Sequence, residues 1–217
     1  MIIIAWILAF IIAITVHEAA HAWMADRLGD PTAKLMGRLS LNPLVHYDRV
    51  GTTMLLVLTI LRSIGIPVIP FGWAKPVQYD PFNLQNPRRD SATISLAGPA
   101  SNILVAGLLS VVVRVMQNPF SPASGFSYLL YPIIGLNIAL AVFNLIPLHP
   151  LDGGKILVGL LPRSEAHDAD IFLRRYSMIL LLFMILPFAG GRSVLGSVIS
   201  PIIEAVLNFL IPNNPLI

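Results

Sequence analysis

Long apolar runs separated by short polar segments dominate the chain. A helix needs roughly 20 predominantly apolar residues to cross about 30 Å of hydrocarbon. Runs of this kind predict membrane-spanning helices at residues 2–25, 94–116, 129–148 and 176–190, the last of them short. An arginine and a glycine interrupt a fifth run, residues 50–67, so its path is ambiguous. Pro201 and Glu204 break a sixth, residues 194–211, which either spans or lies at the interface.

The positions of the Lys and Arg residues predict how these spans are oriented in the membrane. They occur in segments 29–49, 68–93 and 153–175, whereas segment 117–128 has none. Cytoplasmic loops carry an excess of Lys and Arg, so the first two basic segments are expected on the same, cytoplasmic side. The run 50–67 between them would then enter the membrane and return rather than cross it.

Composition agrees with a protein embedded in a bilayer. Of the 217 residues, 56% are hydrophobic and only 12% are charged, whereas soluble domains have about 25% charged residues. The net charge is +3, but the 14 Lys and Arg residues occur singly or in pairs, as on the flanks of membrane segments. No nucleic acid partner is therefore expected. There is no cysteine, and a metal site would therefore use His, Asp, Glu or carbonyl ligands.

One motif places ionisable groups inside the first apolar run. The sequence HEAAH at residues 17–21 matches H-E-x-x-H on a predicted helix. Its i, i+4 spacing puts His17 and His21 on one helix face, about one turn apart, as two zinc ligands require. Glu18, about 100° round the helix, can reach a water at the metal without ligating the metal. Unpaired polar groups in hydrocarbon are costly, which disfavours a chance match.

A catalytic zinc usually has three protein ligands and one open position, so a third ligand is needed. The candidates are His46, His149, Asp152, Glu165, His167 and Glu204. Asp152 is favoured because the span 129–148 returns it to the depth of the two histidines, and because Gly153-Gly154 permits a tight turn. His149 is its main competitor, and Glu204 on a late apolar segment is an alternative. His46 is expected at the interface, and Glu165 and His167 in a solvated segment.

Three motifs, in order along the chain, resemble the site-2 protease family of intramembrane zinc metalloproteases: HEAAH, NLIP (144–147) and LDG (151–153). The stretch SLAGPASNILVA at 95–106 resembles that family's G-P-x-x-N stretch at the start of its middle core helix. Residues 37–52 and 70–77 resemble its short subgroup, which has no PDZ or CBS appendage. One departure is Arg49, which stands where the subgroup's H-x-D-P-x-G-T stretch has proline.

The resemblance implies one zinc ion per chain with three protein ligands: His17, His21 and Asp152. It also implies that Glu18 is the catalytic carboxylate, and that Asn144 lies beside the zinc and contacts the substrate. Residues 71–79 are implied to form an edge β-hairpin that dips into the membrane. The prolines flanking KPVQY suit an edge strand, which can hold an extended peptide by β-augmentation.

We therefore predict an α-helical polytopic membrane protein with a three-helix catalytic core, additional helices and a small membrane-dipping β-hairpin. One integral-membrane domain is expected over residues 1–217, with the core within about 1–160 and accessory helices within about 165–211. The predicted function is zinc-dependent endoproteolysis of a transmembrane segment in a membrane-protein substrate, by Glu-assisted attack of zinc-bound water. We expect it in a prokaryotic cell membrane, with the active site towards the cytoplasmic side.

Other functions explain the motifs less well. The alternative is a membrane cation (zinc) transporter that uses the His/Glu/Asp set as an ion path, but the chain lacks repeated halves. A di-iron enzyme would need many clustered histidines, and the chain has 5 scattered ones. A scaffold without catalysis leaves the full ligand set unexplained.

Overall fold

The computed structural model describes residues 2–66, 72–117, 124–186 and 193–211. Its α-helices are α1 (Ile2–Arg27), α2 (Thr32–Leu35), α3 (Gly51–Ser63), α4 (Pro87–Met116), α5 (Tyr131–Asn144), α6 (Asp152–Leu160), α7 (Arg163–Ile185) and α8 (Val194–Leu210). Short 3-10 helices cover Pro43–Val45, Pro81–Asn83 and Ser124–Leu129. The described residues contain no β-strand, and the predicted helical class is confirmed.

Three described helical segments are long and apolar enough to cross a membrane: Ile4–Arg27, Pro87–Met116 and Phe126–Asn144. They correspond to the first three predicted spans. The fourth, residues 176–190, is different, because its described part is the second half of α7. The first half of α7 is rich in charged residues, which are costly in hydrocarbon, and α7 is not among the candidate spans. Residues 187–190 lie outside the described part of the chain.

The two ambiguous runs form shorter helices. With 13 residues, α3 is about 20 Å long, too short to cross a hydrocarbon layer of about 30 Å. It follows a turn in which the Asp48 carboxylate accepts hydrogen bonds from the N–H groups of Val50 (2.9 Å) and Gly51 (2.7 Å), with Arg49 exposed. The turn therefore forms without the proline of the short subgroup.

Helix α8 packs against α4 and α5 through a buried apolar cluster: Ala106, Val113, Tyr131, Ile134, Ile138, Leu207 and Ile211. The end of α8 is also held by Arg114 of α4. Its guanidinium donates hydrogen bonds to the carbonyls of Phe209 (2.9 Å) and Leu210 (3.0 Å). These donors satisfy carbonyls that the last turn of a helix leaves without partners.

A row of small residues directs α1 against α4. Alanines recur at intervals of four residues and are buried: Ala5, Ala9, Ala13 and Ala25. His17 and His21 continue the same i, i+4 row between Ala13 and Ala25. Small side chains let helices approach closely, and the Ala13 carbonyl accepts a hydrogen bond from Asn102 of α4 at 2.9 Å. The row therefore carries both imidazoles into the interface between α1 and α4.

The described residues of the predicted β-hairpin do not form a strand. Residues 72–80 have no regular secondary structure, and Phe71 lies outside the described residues. The backbone donors of this segment bind other parts of the protein. The N–H of Lys75 donates to the His46 carbonyl (3.0 Å), and the N–H of Val77 donates to the Glu18 carboxylate (2.9 Å). Pro76 has no N–H to donate. These donors are therefore not available for a ladder with a second strand.

Asp30, which is fully buried, anchors the far end of this segment. Its carboxylate accepts hydrogen bonds from the hydroxyl of Thr32 (2.6 Å), the side chain of Asn83 (2.7 Å) and the N–H of Asp80 (2.8 Å). Burial alone would raise the pKa of Asp30, but these hydrogen bonds outweigh it and lower the pKa below its usual value of 3.8. The carboxylate therefore joins the α1–α2 turn to residues 80–83.

Replacing Asp30 with alanine should reduce the free energy of unfolding by about 3 kcal/mol, because buried donors lose their acceptor. Thermal unfolding of the detergent-solubilised protein measures the loss. Since the folded pKa is depressed, the Asp30 contribution is present above the unfolded pKa and is lost as the pH falls through the folded pKa. Asp26→Ala is the control, because Asp26 makes only a surface ion pair with Lys34 (3.2 Å) and should cost at most about 1 kcal/mol. Equal losses in the two variants would contradict the anchoring role.

Candidate active site

The imidazoles of His17 and His21 lie together on the buried face of α1. Their ring centroids are 4.6 Å apart and the ring planes are nearly perpendicular, at 89°. Gly98 of α4 faces them, and a Cβ atom built there would lie 2.5 Å from Nε2 of His21 and 2.7 Å from Cε1 of His17. Only glycine leaves room for both rings, so α4 forms a wall of the site.

Asp152, the first residue of α6, completes the group. Its Oδ2 atom lies 3.2 Å from Nε2 of His17 and 3.3 Å from Nε2 of His21. The irregular segment between α5 and α6 positions it by a close contact, since a Cβ at Gly153 would come within 2.2 Å of the Ile146 carbonyl oxygen. These three side chains are the one cluster of His, Asp or Glu in the described ranges that could hold a metal ion, with ligand atoms within 4.8 Å of one another.

Hydrogen bonds on the far side of each imidazole determine its tautomer. Nδ1 of His21 donates to the Ile94 carbonyl oxygen at 2.7 Å. Nδ1 of His17 lies 2.7 Å from Oδ1 of Asn102. The amide nitrogen of Asn102 donates to the Ala13 carbonyl (2.9 Å) and to Oδ1 of Asn137 (2.8 Å), so its oxygen is left to accept. Both rings therefore carry their proton on Nδ1 when neutral.

The donor set fits a divalent cation. With the proton on Nδ1, each Nε2 atom presents a lone pair towards Asp152. Oδ2 of Asp152 is buried and has no hydrogen-bond partner among the described residues. Three acceptors that face one another without a donor repel, and a cation between them removes that repulsion. Two imidazoles and a carboxylate are also a ligand set that zinc accepts, and three protein ligands leave one position open for catalysis.

Glu18 is not part of this cluster. It lies next to His17 on α1, is half-buried, and accepts the Val77 N–H on its Oε2 atom at 2.9 Å. The carboxylate is therefore beside the imidazoles but is not one of the converging ligand atoms. Segment 72–80 contacts it through the Val77 N–H.

The other candidates lie elsewhere. Nε2 of His149 is 3.2 Å from Asp170 of α7, Glu204 is exposed on α8, and Glu165 and His167 are exposed on α7. His46 is buried, and its Nε2 donates to the Ser40 carbonyl at 2.9 Å. Asn144 is the last residue of α5, and its amide nitrogen donates to the Leu140 carbonyl at 3.0 Å. The structure does not place any of these side chains in the cluster.

Sequence reasoning missed the residues that support the cluster. Asn102 and Asn137 are both fully buried in apolar helices and connect α4 with α5 beside His17. Their signal was visible, since a polar side chain within an apolar span needs a partner. Asn102 also belongs to the stretch that resembles G-P-x-x-N, but its hydrogen bond to a histidine depends on the packing of α1 against α4.

The sequence matches a known protein family. The model of peptidase family M50 matches residues 5–120 and 110–187, most of the chain. The chain belongs to peptidase family M50. This is the site-2 protease family, and no PDZ or CBS domain is found. The M50 match confirms the resemblance seen in the sequence, and no solved structure matches the chain.

Curated relatives of this M50 chain are named as zinc metalloproteases. YwhC of Bacillus subtilis is 31% identical over 216 residues, which cover 93% of each chain. Rip2 of Mycolicibacterium smegmatis is 33% identical over 150 residues, 68% of this chain and 53% of the relative. MJ0392 of Methanocaldococcus jannaschii is 23% identical over 189 residues, 83% of this chain and 44% of the relative. The protein is thus a zinc-dependent peptide hydrolase with the apolar helices of an integral membrane protein.

Proposed function

We propose that this M50 peptidase cleaves a transmembrane segment of a membrane-protein substrate within the bilayer. The observation that carries the proposal is the position of the metal-binding cluster. His17 and His21 lie inside the candidate span Ile4–Arg27, not on a loop outside it. A hydrolytic centre built into a spanning helix is suited to peptide bonds that lie below the membrane surface.

His17, His21 and Asp152 would hold the zinc ion. Zinc bound there would lower the pKa of a water molecule and polarise the scissile carbonyl. The protein fixes the ligands in advance, because Asn102 and the Ile94 carbonyl hold both imidazoles with Nε2 facing Asp152. Such outer partners orient metal ligands and keep them in the binding tautomer.

Glu18 acts as general base and then as general acid. It takes a proton from the attacking water and returns it to the leaving amine. The Val77 N–H holds one carboxylate oxygen, Oε2, at 2.9 Å, which leaves Oε1 for the proton transfer. Asn144, at the end of α5, contacts the substrate and supplies a donor to the developing oxyanion. The Leu145–Ile146 carbonyls, which pack on Gly153, keep this helix end near Asp152.

The substrate must be locally unwound, because a helix hides its carbonyl groups in its own hydrogen bonds. We expect helix-weakening residues around the cleaved bond. We expect the site towards the cytoplasmic side of a prokaryotic cell membrane, because segments 29–49 and 68–93 carry Lys and Arg residues. We expect water to reach it from the cytoplasmic-side loops, past the polar side chains of Asn144 and Asp152.

Asp152→Ala should lower the zinc affinity of the protein by more than about 100-fold, because even outer partners of zinc ligands contribute 10- to 100-fold. Metal analysis after dialysis against graded free zinc measures the change. His149→Ala is the control: His149 is three residues away and faces Asp170, so its loss should leave zinc binding intact. Loss of zinc in the His149 variant, with zinc retained in the Asp152 variant, would reverse the ligand assignment.

Cleavage by the full chain in vesicles tests the proposed function. The protein is reconstituted with a single-span membrane protein, and the product masses locate the cut bond. A zinc-dependent cut inside the apolar segment is expected. Cuts confined to the segments outside the membrane would reject intramembrane cleavage. Zinc flux across the same vesicles without any cleavage would favour the transporter alternative.

A further inference from the structure

A second cavity lies beside the metal-binding cluster but includes neither the three side chains of that cluster nor Glu18. A cavity of about 830 Å³ opens between the start of α4, α6 and the first half of α7. Four permanently cationic residues line it: Arg88, Lys155, Arg163 and Arg174. The one carboxylate in its lining is Asp170, and His17, Glu18, His21 and Asp152 are not part of it. The cavity therefore has an excess of positive charge.

Three of these cations have no anionic partner among the described residues. Asp170 pairs with Arg174 at 2.8 Å and with His149 at 3.2 Å. Arg88 donates to the carbonyls of Val158 and Leu161, which fixes its position but leaves its charge unbalanced. The Lys155 ammonium stands 4.8 Å from the centre of the Tyr79 ring and makes no ion pair, and Arg163 makes none either. Such a site attracts an anion.

The lining also contains apolar side chains. On α7, Arg163 lies at the start of the helix, and the apolar Leu173 and Met178 lie further along it, on either side of Arg174. Val158 of α6 adds a further apolar side chain. A ligand with a charged head and an apolar body matches this combination of basic and apolar side chains. A volume of about 830 Å³ is also within the usual range for organic ligands, much more than a bare phosphate would fill.

We propose that this cavity binds the phosphodiester headgroup of an anionic phospholipid, with the phosphate contacting Lys155 and Arg163. Basic pockets between membrane helices on the cytoplasmic side are suited to such headgroups, and we expect the cavity on that side because its cations belong to the basic segments 68–93 and 153–175. An acidic peptide would match the charge of the cavity but not the apolar side chains of Leu173 and Met178 in its lining.

The site is connected to the catalytic region. Lys155 is one helical turn after Asp152 on α6, and its ammonium stacks on Tyr79. Tyr79 belongs to the segment in which the Val77 N–H binds Glu18. A bound headgroup would therefore hold Lys155, and through it the segment that contacts the catalytic carboxylate. Faster cleavage in anionic vesicles is expected, and this activity effect alone rests on the proposed function.

Native mass spectrometry of the full chain in detergent tests binding with phosphatidylglycerol or phosphatidylcholine as the probe. The inactive Glu18→Gln variant is measured beside the wild type, so that lipid binding is separated from proteolysis. Both should prefer phosphatidylglycerol. In the double variant Lys155→Gln/Arg163→Gln, the affinity for phosphatidylglycerol relative to phosphatidylcholine should fall roughly 10- to 30-fold. Lys155→Arg, which keeps the charge, should retain it, and zinc content reports whether each variant is folded.

Arg89→Gln/Arg175→Gln is the matched control. Both arginines are exposed and neighbour cavity residues in sequence, but neither lines the cavity. This pair should keep the preference. An equal loss in both pairs would reduce the effect to general surface charge and overturn the proposal. Displacement of the lipid by inorganic phosphate would assign the site to a soluble phosphate compound. Displacement by a peptide rich in aspartate would assign it to a protein ligand.

Discussion

Glu18→Gln is expected to lower kcat for cleavage of a membrane substrate by roughly 10² to 10⁴, the usual contribution of general acid–base catalysis. A carboxamide cannot take a proton from water near neutral pH, so both proton transfers are lost. The comparison is made with the full chain in vesicles, by following the intact substrate and its products. In cells, membrane proteins that accumulate uncleaved in this variant would identify the substrate.

The same substitution should leave the fold and the bound zinc unchanged. The glutamine side-chain oxygen can still accept the Val77 N–H, which binds Glu18 at 2.9 Å. Glu18 also contributes none of the three converging ligand atoms. Zinc content and thermal unfolding should therefore match the wild type.

Glu204→Gln is the control, because it makes the same chemical change at an exposed position on α8. It should cleave at the wild-type rate. Full proteolysis by the Glu18 variant would end the assignment of Glu18 as the catalytic carboxylate. Loss of zinc together with loss of activity would instead make Glu18 part of the metal site.

Gly98→Ala is expected to remove both zinc binding and proteolysis, although it adds only one methyl group. That methyl carbon would lie 2.5 Å from Nε2 of His21 and 2.7 Å from Cε1 of His17, far inside contact distance. The imidazoles would have to turn away from Asp152, and the hydrogen bonds to Asn102 and the Ile94 carbonyl would break. Zinc content after dialysis and cleavage in vesicles measure the two losses.

Gly107→Ala on the same helix is the matched control, since a Cβ there meets no atom within 4 Å. By helix propensity alone both substitutions should stabilise α4, by roughly 0.5–1 kcal/mol. The Gly107 variant should keep its zinc and its activity. A Gly98 variant that binds zinc normally would show that α4 does not pack this closely against the histidines.

Periodicity and spacing were enough to predict the spans and the metal-binding helix. Three predicted spans are candidate spans in the structure, because apolar length is a local property of the sequence. The i, i+4 spacing likewise puts His17 and His21 on one face in any helix. The predicted span 176–190 included only the apolar second half of α7. The helix begins at Arg163, and its charged first half lay outside the predicted range.

The β-hairpin was wrong for a different reason. Flanking prolines and β-prone residues at 75–79 suited an edge strand, but strand formation requires backbone groups that are free to pair. Here the N–H groups of Lys75 and Val77 donate to a loop carbonyl and to Glu18. These partners come from distant parts of the chain, so the local sequence pattern does not predict them.

By itself the sequence determined that the protein lies in a membrane, that two imidazoles share a helix face with Glu18 beside them, and that the protein resembles a metalloprotease family. These features follow from neighbours in sequence. Only the tertiary structure decided that Asp152 rather than His149 meets the imidazoles, because that depends on how the turn after α5 packs against Gly153. It also decided the tautomers, through Asn102 and the Ile94 carbonyl. Contacts between residues 73 to 135 positions apart depend on how helices pack, which no spacing along one helix encodes.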